Sequence, residues 1–396
     1  MKIRVGVFFG GKSVEHEVSV ISALQACRSL DKEKYDIIPI YITKNTEFYI
    51  GEKIGVIEAY KNIPALLKES TRVIPVGEKN GLNLMRYPMK KFGDNLMAVI
   101  DVALPVVHGT NVEDGALQGY LQTLGVPYAS CDVISSAVGM DKYVMKTVFK
   151  DNDIPVLPCS VANVKEYTKN PEAVISAIES KTTYPVIVKP VNLGSSVGIR
   201  KAKNREELIE ALDYAFTFSI RVLVENAITK LREINCSVLG DYENAEASEC
   251  EEPFANDEIL SYQDKYAGGT KSGKSGMASL KRKIPADISP ETREEIRAMA
   301  VKAFKALGCS GVSRIDFMID EETGNIYLNE INTIPGSLAF YLWEPLGVKY
   351  SELLDRMISL ALKRERENKA ISFSFDSNIL ETASFGGSKG AKGTKL

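Results

Sequence analysis

The stretch "YPVIVKPVNLGSSVGIRK", residues 184 to 201, decides how this chain is read. An apolar run from Tyr184 to Val188 ends in Lys189, a Gly194-Ser195-Ser196 turn follows, and residues 197–201 run back. A turn with so little side-chain bulk lets backbone N–H groups close around an anion. A P-loop would place its lysine directly after the last glycine, as G-x-x-x-x-G-K-[ST]. Here the lysine precedes the glycines, so the segment reads as a hairpin with the lysine on its first strand. Taken alone, such a lysine is more often a snorkelling surface residue. A second lysine, Lys142, heads a helical pattern over residues 141–152. With the Ser195-Ser196 flap, the two ammonium groups make a clamp for a triphosphate. Lys12 and Lys201 read as ordinary solvent-facing charges.

Further along lie "SRIDFMI" (313–319) and "YLNEINTIPG" (327–336). Strand side chains alternate, so Glu330 and Asn332 share a face. If the strand carrying Asp316 pairs beside them, three oxygen ligands converge. That set suits Mg²⁺, which takes one or two carboxylates and completes its shell with phosphate oxygens and water. The alternative is a set of surface carboxylates at strand edges, but acid and amide groups inside apolar strands are costly unless paired or metal-bound. In "VLVENAITKLRE" (222–233), Glu225 and Glu233 either meet a nucleotide's base and ribose or are solvated strand-end charges. Spacing does not separate the two.

The N-terminal third alternates strand and helix. Residues 3–9, 35–42, 97–107 and 126–128 read as strands, and 18–30 and 115–124 as helices. Such alternation predicts a parallel sheet in an α/β layer. "FFGGKSVEHEVS" (8–19) and "VVHGTNVEDGALQG" (106–119) are strand-to-helix transitions whose glycines let a carboxylate approach the backbone. Glu15 and His108 follow strand ends, where open α/β sheets bind ligands. A lone histidine is more often a satisfied, partly buried group, but the Gly109 and Glu-Asp-Gly context favours a role for His108. From about residue 135 short strands mix with a long helix at 290–307, an α+β pattern. The glycine- and lysine-rich segment 262–282 is too long for a plain connection and reads as a lid. The tail after about 375 reads as flexible.

The whole chain, 396 residues with 44% apolar and 26% charged side chains, predicts two or three soluble domains. A formal charge of −3 gives no general attraction to nucleic acid or anionic membranes. Nothing approaches the run of about 20 apolar residues that spans a bilayer. Six scattered cysteines without C-x-x-C spacing predict buried thiols in a reducing cytoplasm. With only His16 and His108 present, a bound metal should be a hard cation.

Six motifs in order now carry a resemblance: "GGKSVEHEVS", "HGTNVEDGALQG", "GMDKYVMK", "VIVKPVNLGSSVG", "SRIDFMI" and "NEINTIPG". From residue 1 to about 365 the chain resembles the D-alanine–D-alanine ligases of the ATP-grasp superfamily. The resemblance implies an N-terminal parallel α/β domain (1–134), two α+β ATP-grasp subdomains (135–220 and 221–365) and a flexible tail (366–396). It implies that ATP and two Mg²⁺ (or Mn²⁺) are bound, that one D-alanine is activated as an acyl phosphate, and that a second amino acid's amine attacks it. It places Lys142, Lys189, Ser195 and Ser196 at the phosphates. Glu225, Asn226, Ala227, Ile228 and Glu233 fall at the base and ribose, and Asp316, Glu330 and Asn332 at the metals. Glu15, Val18 and His108 would meet the first substrate. Arg314 and the Gly336 N–H would stabilise the tetrahedral intermediate. Glu15, Ser195 and Tyr266 would organise the closed site, and Lys265 would guide the second substrate. After Gly336 the chain departs from the family text "MTSHSL", so the acceptor's carboxylate falls to Ser337 with a gap or to Tyr341 without one, and Leu338 is a further expected substrate contact. Neither Leu338 nor Leu342 matches the arginine typical of D-Ala–D-Ser ligases. The resemblance also implies a cytoplasmic homodimer serving peptidoglycan synthesis. The other readings are a ligase with a different acceptor and a nucleotide-binding protein without catalysis.

Overall fold

Ile3 to Phe9 forms a strand because a continuous apolar run can be covered on both faces, and from Val5 to Phe9 it is buried. The computed structural model describes residues 2–79, 81–253 and 282–372. The first sheet contains β1 (Ile3–Gly10), β2 (Tyr35–Ile42), β3 (Phe48–Ile50), β4 (Thr71–Glu78), β5 (Gly81–Arg86), β6 (Leu96–Ile100) and β7 (Val102–Pro105). Their order is β6-β5-β4-β3-β2-β1-β7. The parallel sheet predicted from sequence is confined to β2-β1-β7 and one parallel bridge from Ala103 to Tyr128, in the stretch 126–128 read as a strand. The other pairings are antiparallel, which makes the sheet mixed. The stretch 97–107, read as one strand, divides at Asp101. That carboxylate accepts from the Arg4 backbone N–H at 2.8 Å and from its Nε at 3.0 Å, so β6 turns to pair with β5 and β7 with β1.

A second sheet is wholly antiparallel, in the order β10-β9-β11-β8. It contains β8 (Cys159–Asn163), β9 (Val186–Pro190), β10 (Arg200–Ala202) and β11 (Arg221–Asn226). The hairpin read around Lys189 is the β9/β10 pair. A boundary at 220 would assign β11 to the following unit, but its apolar residues pair and pack here. The third sheet comprises β12 (Leu231–Gly240), β13 (Ala245–Pro253), β14 (Arg282–Lys283), β15 (Gly311–Asp320) and β16 (Ile326–Asn332), in the order β14-β13-β12-β15-β16.

Packing ties the pieces together out of sequence order. Helix Lys142–Asp151 is N-capped by Asp141, and its Met145 and Phe149 join the core beneath the third sheet, alongside Phe304 of helix Pro290–Ala306. The sequence reading missed helix Tyr350–Lys369. Its stripe of Leu353, Leu354, Met357 and Ile358 packs back into the core of the first sheet. Residues 366–369, which the resemblance places in the flexible tail, complete this helix. All six cysteines are free thiols, and Cys131, Cys236, Cys250 and Cys309 are buried in the third-sheet core. Among the described residues no helix is long and apolar enough to cross a membrane.

Candidate active site

A cleft of about 500 Å³ is walled by the second and third sheets and by the loops that follow β1 and β7 of the first. At the end nearest the first sheet, Glu15 precedes helix His16–Ser29 and is buried. Ser195 donates a hydrogen bond to its Oε1 from the flap. Two glycines make room for this carboxylate. A Cβ on Gly194 would stand 2.9 Å from Glu15 Oε2, and one on Gly109 only 2.6 Å from it. Ser195 and Ser196 themselves turn through left-handed backbone, with φ of 55° and 58°.

His108 is fully buried, which holds its imidazole below the ordinary pKa and keeps it neutral. Since a carbonyl only accepts, Nδ1–H donates to Ile334 O at 2.8 Å, and Nε2 accepts from Ser22 Oγ at 2.9 Å. The same Ser22 oxygen accepts from the Ser337 N–H at 2.9 Å. His108 is therefore both the satisfied histidine of the simpler reading and a wall of the cleft. Beside it lies a buried glutamate that the sequence reading left without a role. Glu113 accepts from the N–H groups of Gly109 and Ile334, each at 2.9 Å.

The phosphate end gathers the lysines. Lys142 Nζ donates to Leu193 O at 2.9 Å and lies 3.0 Å from Glu330. Lys189 Nζ is 2.5 Å from Glu225 and donates to Asn329 Oδ1 at 3.3 Å. A third lysine, unanticipated from sequence, stands 2.8 Å from the other Glu225 oxygen: Lys146, one helical turn after Lys142. Burial pushes the Glu225 carboxyl upward, but Lys189 and Lys146 outweigh it and hold it down to about 2. Asn329 was hidden because a bulge opposite Asp316 and Phe317 breaks the alternation that assigns it to the other face. Lys201, read as solvent-facing, lines the cleft instead, because β10 lies against β9. Lys12 is exposed.

Across the third sheet Glu251, Asn235, Asp316 and Glu330 stand opposite one another on β13, β12, β15 and β16. Arg314 and Asn332 form the neighbouring cross-strand pair. Asp316 takes both Arg314 Nε and Nη2 at 2.7 Å, and Asn332 Nδ2 donates to it at 3.1 Å. Burial opposes the Arg314 charge, but Asp316 keeps the guanidinium protonated well beyond its ordinary range. Among the described residues no group of three or more His, Cys, Asp and Glu side chains has a metal-holding arrangement. Two carboxylates and one amide on adjacent strands fit a hard cation that draws its remaining ligands from phosphate and water. Asn226, Ala227, Ile228 and Glu233 line the cleft beyond Glu225.

Four expected substrate contacts do not reach the cleft wall: Val18, Ser337, Leu338 and Tyr341. Val18 is buried on helix His16–Ser29. Ser337, Leu338 and Ala339 form a left-handed turn, with φ of 52°, 52° and 50°, that drives Leu338 into the first-sheet core. The Ser337 hydroxyl donates to Gln25 Oε1 at 2.7 Å, and that of Tyr341 to Glu251 Oε1 at 3.1 Å. Arg282 stacks 4.0 Å over the Tyr341 ring and lies 2.9 Å from Glu251, so Tyr341 supports the wall from behind. Gly336 does line the cleft. Lys265 and Tyr266 lie outside the described residues.

Comparison with known proteins agrees with this geometry. Residues 4–131 match the family model "D-ala D-ala ligase N-terminus", and residues 148–359 match "D-ala D-ala ligase C-terminus". The chain is 40% identical over 379 residues to a D-alanine–D-alanine ligase of Thermosipho melanesiensis, covering 96% of this chain and 98% of the relative. It is 42% identical over 378 residues to one of Acetivibrio thermocellus, covering 93% and 98%. Among solved structures it superposes on the D-alanine–D-alanine ligase from Coxiella burnetii with a TM-score of 0.77 at 30% identity, covering 93% of this chain and 96% of that one. It also superposes on the VanG D-Ala:D-Ser ligase from Enterococcus faecalis with a TM-score of 0.75 at 32% identity, covering 91% and 100%. Matched in its two parts by both domain models and over 96% of its length by a D-alanine–D-alanine ligase, the chain belongs to the D-alanine–D-alanine ligase family.

Proposed function

We propose that the protein is an ATP-dependent ligase that joins two D-alanines through a D-alanyl phosphate, supplying the dipeptide for peptidoglycan synthesis. The observation that carries this reading is the meeting of Lys142, Lys189, Arg314, Asp316 and Glu330 in one cleft with Glu15 and His108. Glu15 receives the ammonium of the first D-alanine, and His108 lies beside its carboxylate. Lys142 and Lys189 hold the ATP phosphates, with the 194–196 flap closing over them. Strand residues 225–228 and Glu233 meet the base and ribose. The bound carboxylate attacks the terminal phosphorus and ADP departs. The amine of the second D-alanine, having lost a proton, then attacks the acyl carbon, and inorganic phosphate leaves. Arg314 and the Gly336 N–H neutralise the oxyanion formed in between. Asp316, Glu330 and Asn332 are the residues that would hold Mg²⁺ or Mn²⁺, which would screen phosphate charge and polarise the transferred group. A cytoplasmic homodimer goes with this reading.

One observation favours a different acceptor. The segment after Gly336 departs from the family text. Incubation with ATP, Mg²⁺ and a panel of D- and L-amino acids, with products identified by mass, decides the matter. D-Ala-D-Ala as the main product supports the proposal. A mixed dipeptide in its place overturns the acceptor, and absence of phosphate release with every amino acid overturns the ligase.

A further inference from the structure

Glu225 is shared by two ammonium groups. Its Oε1 is 2.5 Å from Lys189 and its Oε2 is 2.8 Å from Lys146, and all three side chains are almost completely buried. Lys189 also donates to Asn329, which is neutral, so two positive charges meet one negative charge and the group keeps a net charge of +1. Glu225 and Lys189 line the cleft, whereas Lys146 does not. It reaches Glu225 from helix Lys142–Asp151, whose Met145 and Phe149 are fixed in the core.

A buried carboxylate paired one-to-one with Lys189 would cancel the charge that a phosphate needs. We infer that Lys146 is a positioning residue for the nucleotide: it occupies Glu225 from behind, so that the Lys189 charge stays uncompensated towards the cleft and demands an anion there. The inference rests on the nucleotide reading of the cleft and adds to it a residue that touches no substrate. Its logic is one of charge count. Removing Lys146 leaves the group neutral. Removing the Glu225 charge raises it to +2, and removing both returns it to +1.

Inorganic tripolyphosphate tests this without involving the base or ribose. Its affinity is measured by titration calorimetry at low salt for wild type, K146M, E225Q and K146M/E225Q, with circular dichroism confirming the fold. The expected order is E225Q tightest, wild type and the double variant within about threefold of each other, and K146M weakest. Each unit of charge should be worth about tenfold or more at this range in a partly desolvated site. ATP should follow the same order for K146M in KM, with a smaller change in kcat. A double variant as weak as K146M, or K146M binding as wild type does, overturns the inference, because a merely structural lysine would give additive damage or none. Should K146M not fold, E225Q must still bind tripolyphosphate tighter than wild type, and equal or weaker binding overturns the inference. A wild-type protein that forms no dipeptide yet keeps this order loses the ligase reading and not this one.

Discussion

Ser195 and Glu15, 180 positions apart, are joined by a buried hydrogen bond that pins the flap to the first helix. Gly194 and Gly109 leave no side chain between flap, carboxylate and the loop after His108. The contact couples the phosphate end of the cleft to the amino-acid end. Ser195→Ala should cost kcat/KM about 10–100-fold, the worth of a hydrogen bond to a charged group. The fold should be almost unchanged. Phosphate-release kinetics and a thermal melt check this. Normal turnover would show that the flap closes without Ser195.

Glu330 faces both Asp316 and Lys142. Glu330→Gln keeps the shape and removes the charge that a divalent cation needs. Turnover should fall about 100-fold or more at any Mg²⁺ concentration. Circular dichroism should match wild type. Rates near normal would contradict the metal assignment.

Tyr341 supports Glu251 and Arg282, which line the cleft on the strands beyond Asn235. Tyr341→Phe removes one donor to a buried carboxylate that Asn235 still serves at 3.0 Å. The stability loss should be near 1 kcal/mol. The KM of the acceptor amino acid should rise about 3–10-fold while that of ATP holds, since hydrogen-bond losses of this size are worth about that much. An unchanged acceptor KM would detach this wall from the acceptor site.

Burial, and then the negative charge of Glu15, push Glu113 up to about 8. In the unfolded chain it ionises near 4.3. Between those values the folded state keeps a proton that the unfolded state releases, so this group lowers stability as pH rises. Glu113→Gln removes the slope. Calorimetry from pH 5 to 8 should show the wild-type Tm declining relative to the variant, and parallel curves would refute the assignment.

Much of this was written in local sequence. The run before Lys189 read as a strand, the pattern over 141–152 as a helix headed by Lys142, and alternation put Glu330 and Asn332 on one face, because propensity and period act within a few residues. The mixed character of the first sheet was not legible, since β3, β5 and β6 are short and the pairing of β3 to β6 is a long-range choice. Asn329 was concealed by a bulge, which spacing cannot announce. Lys146 follows Lys142 by one turn, a spacing visible in the sequence, but nothing local says that Glu225, 79 positions later, will lie against it. The sequence determined which groups could carry charge, bind phosphate or hold a cation. Which of them meet, and with what surplus of charge, was decided by sheets that bring distant strands within hydrogen-bonding distance, because burial strengthens every ionic contact and leaves no water to compensate a missing partner.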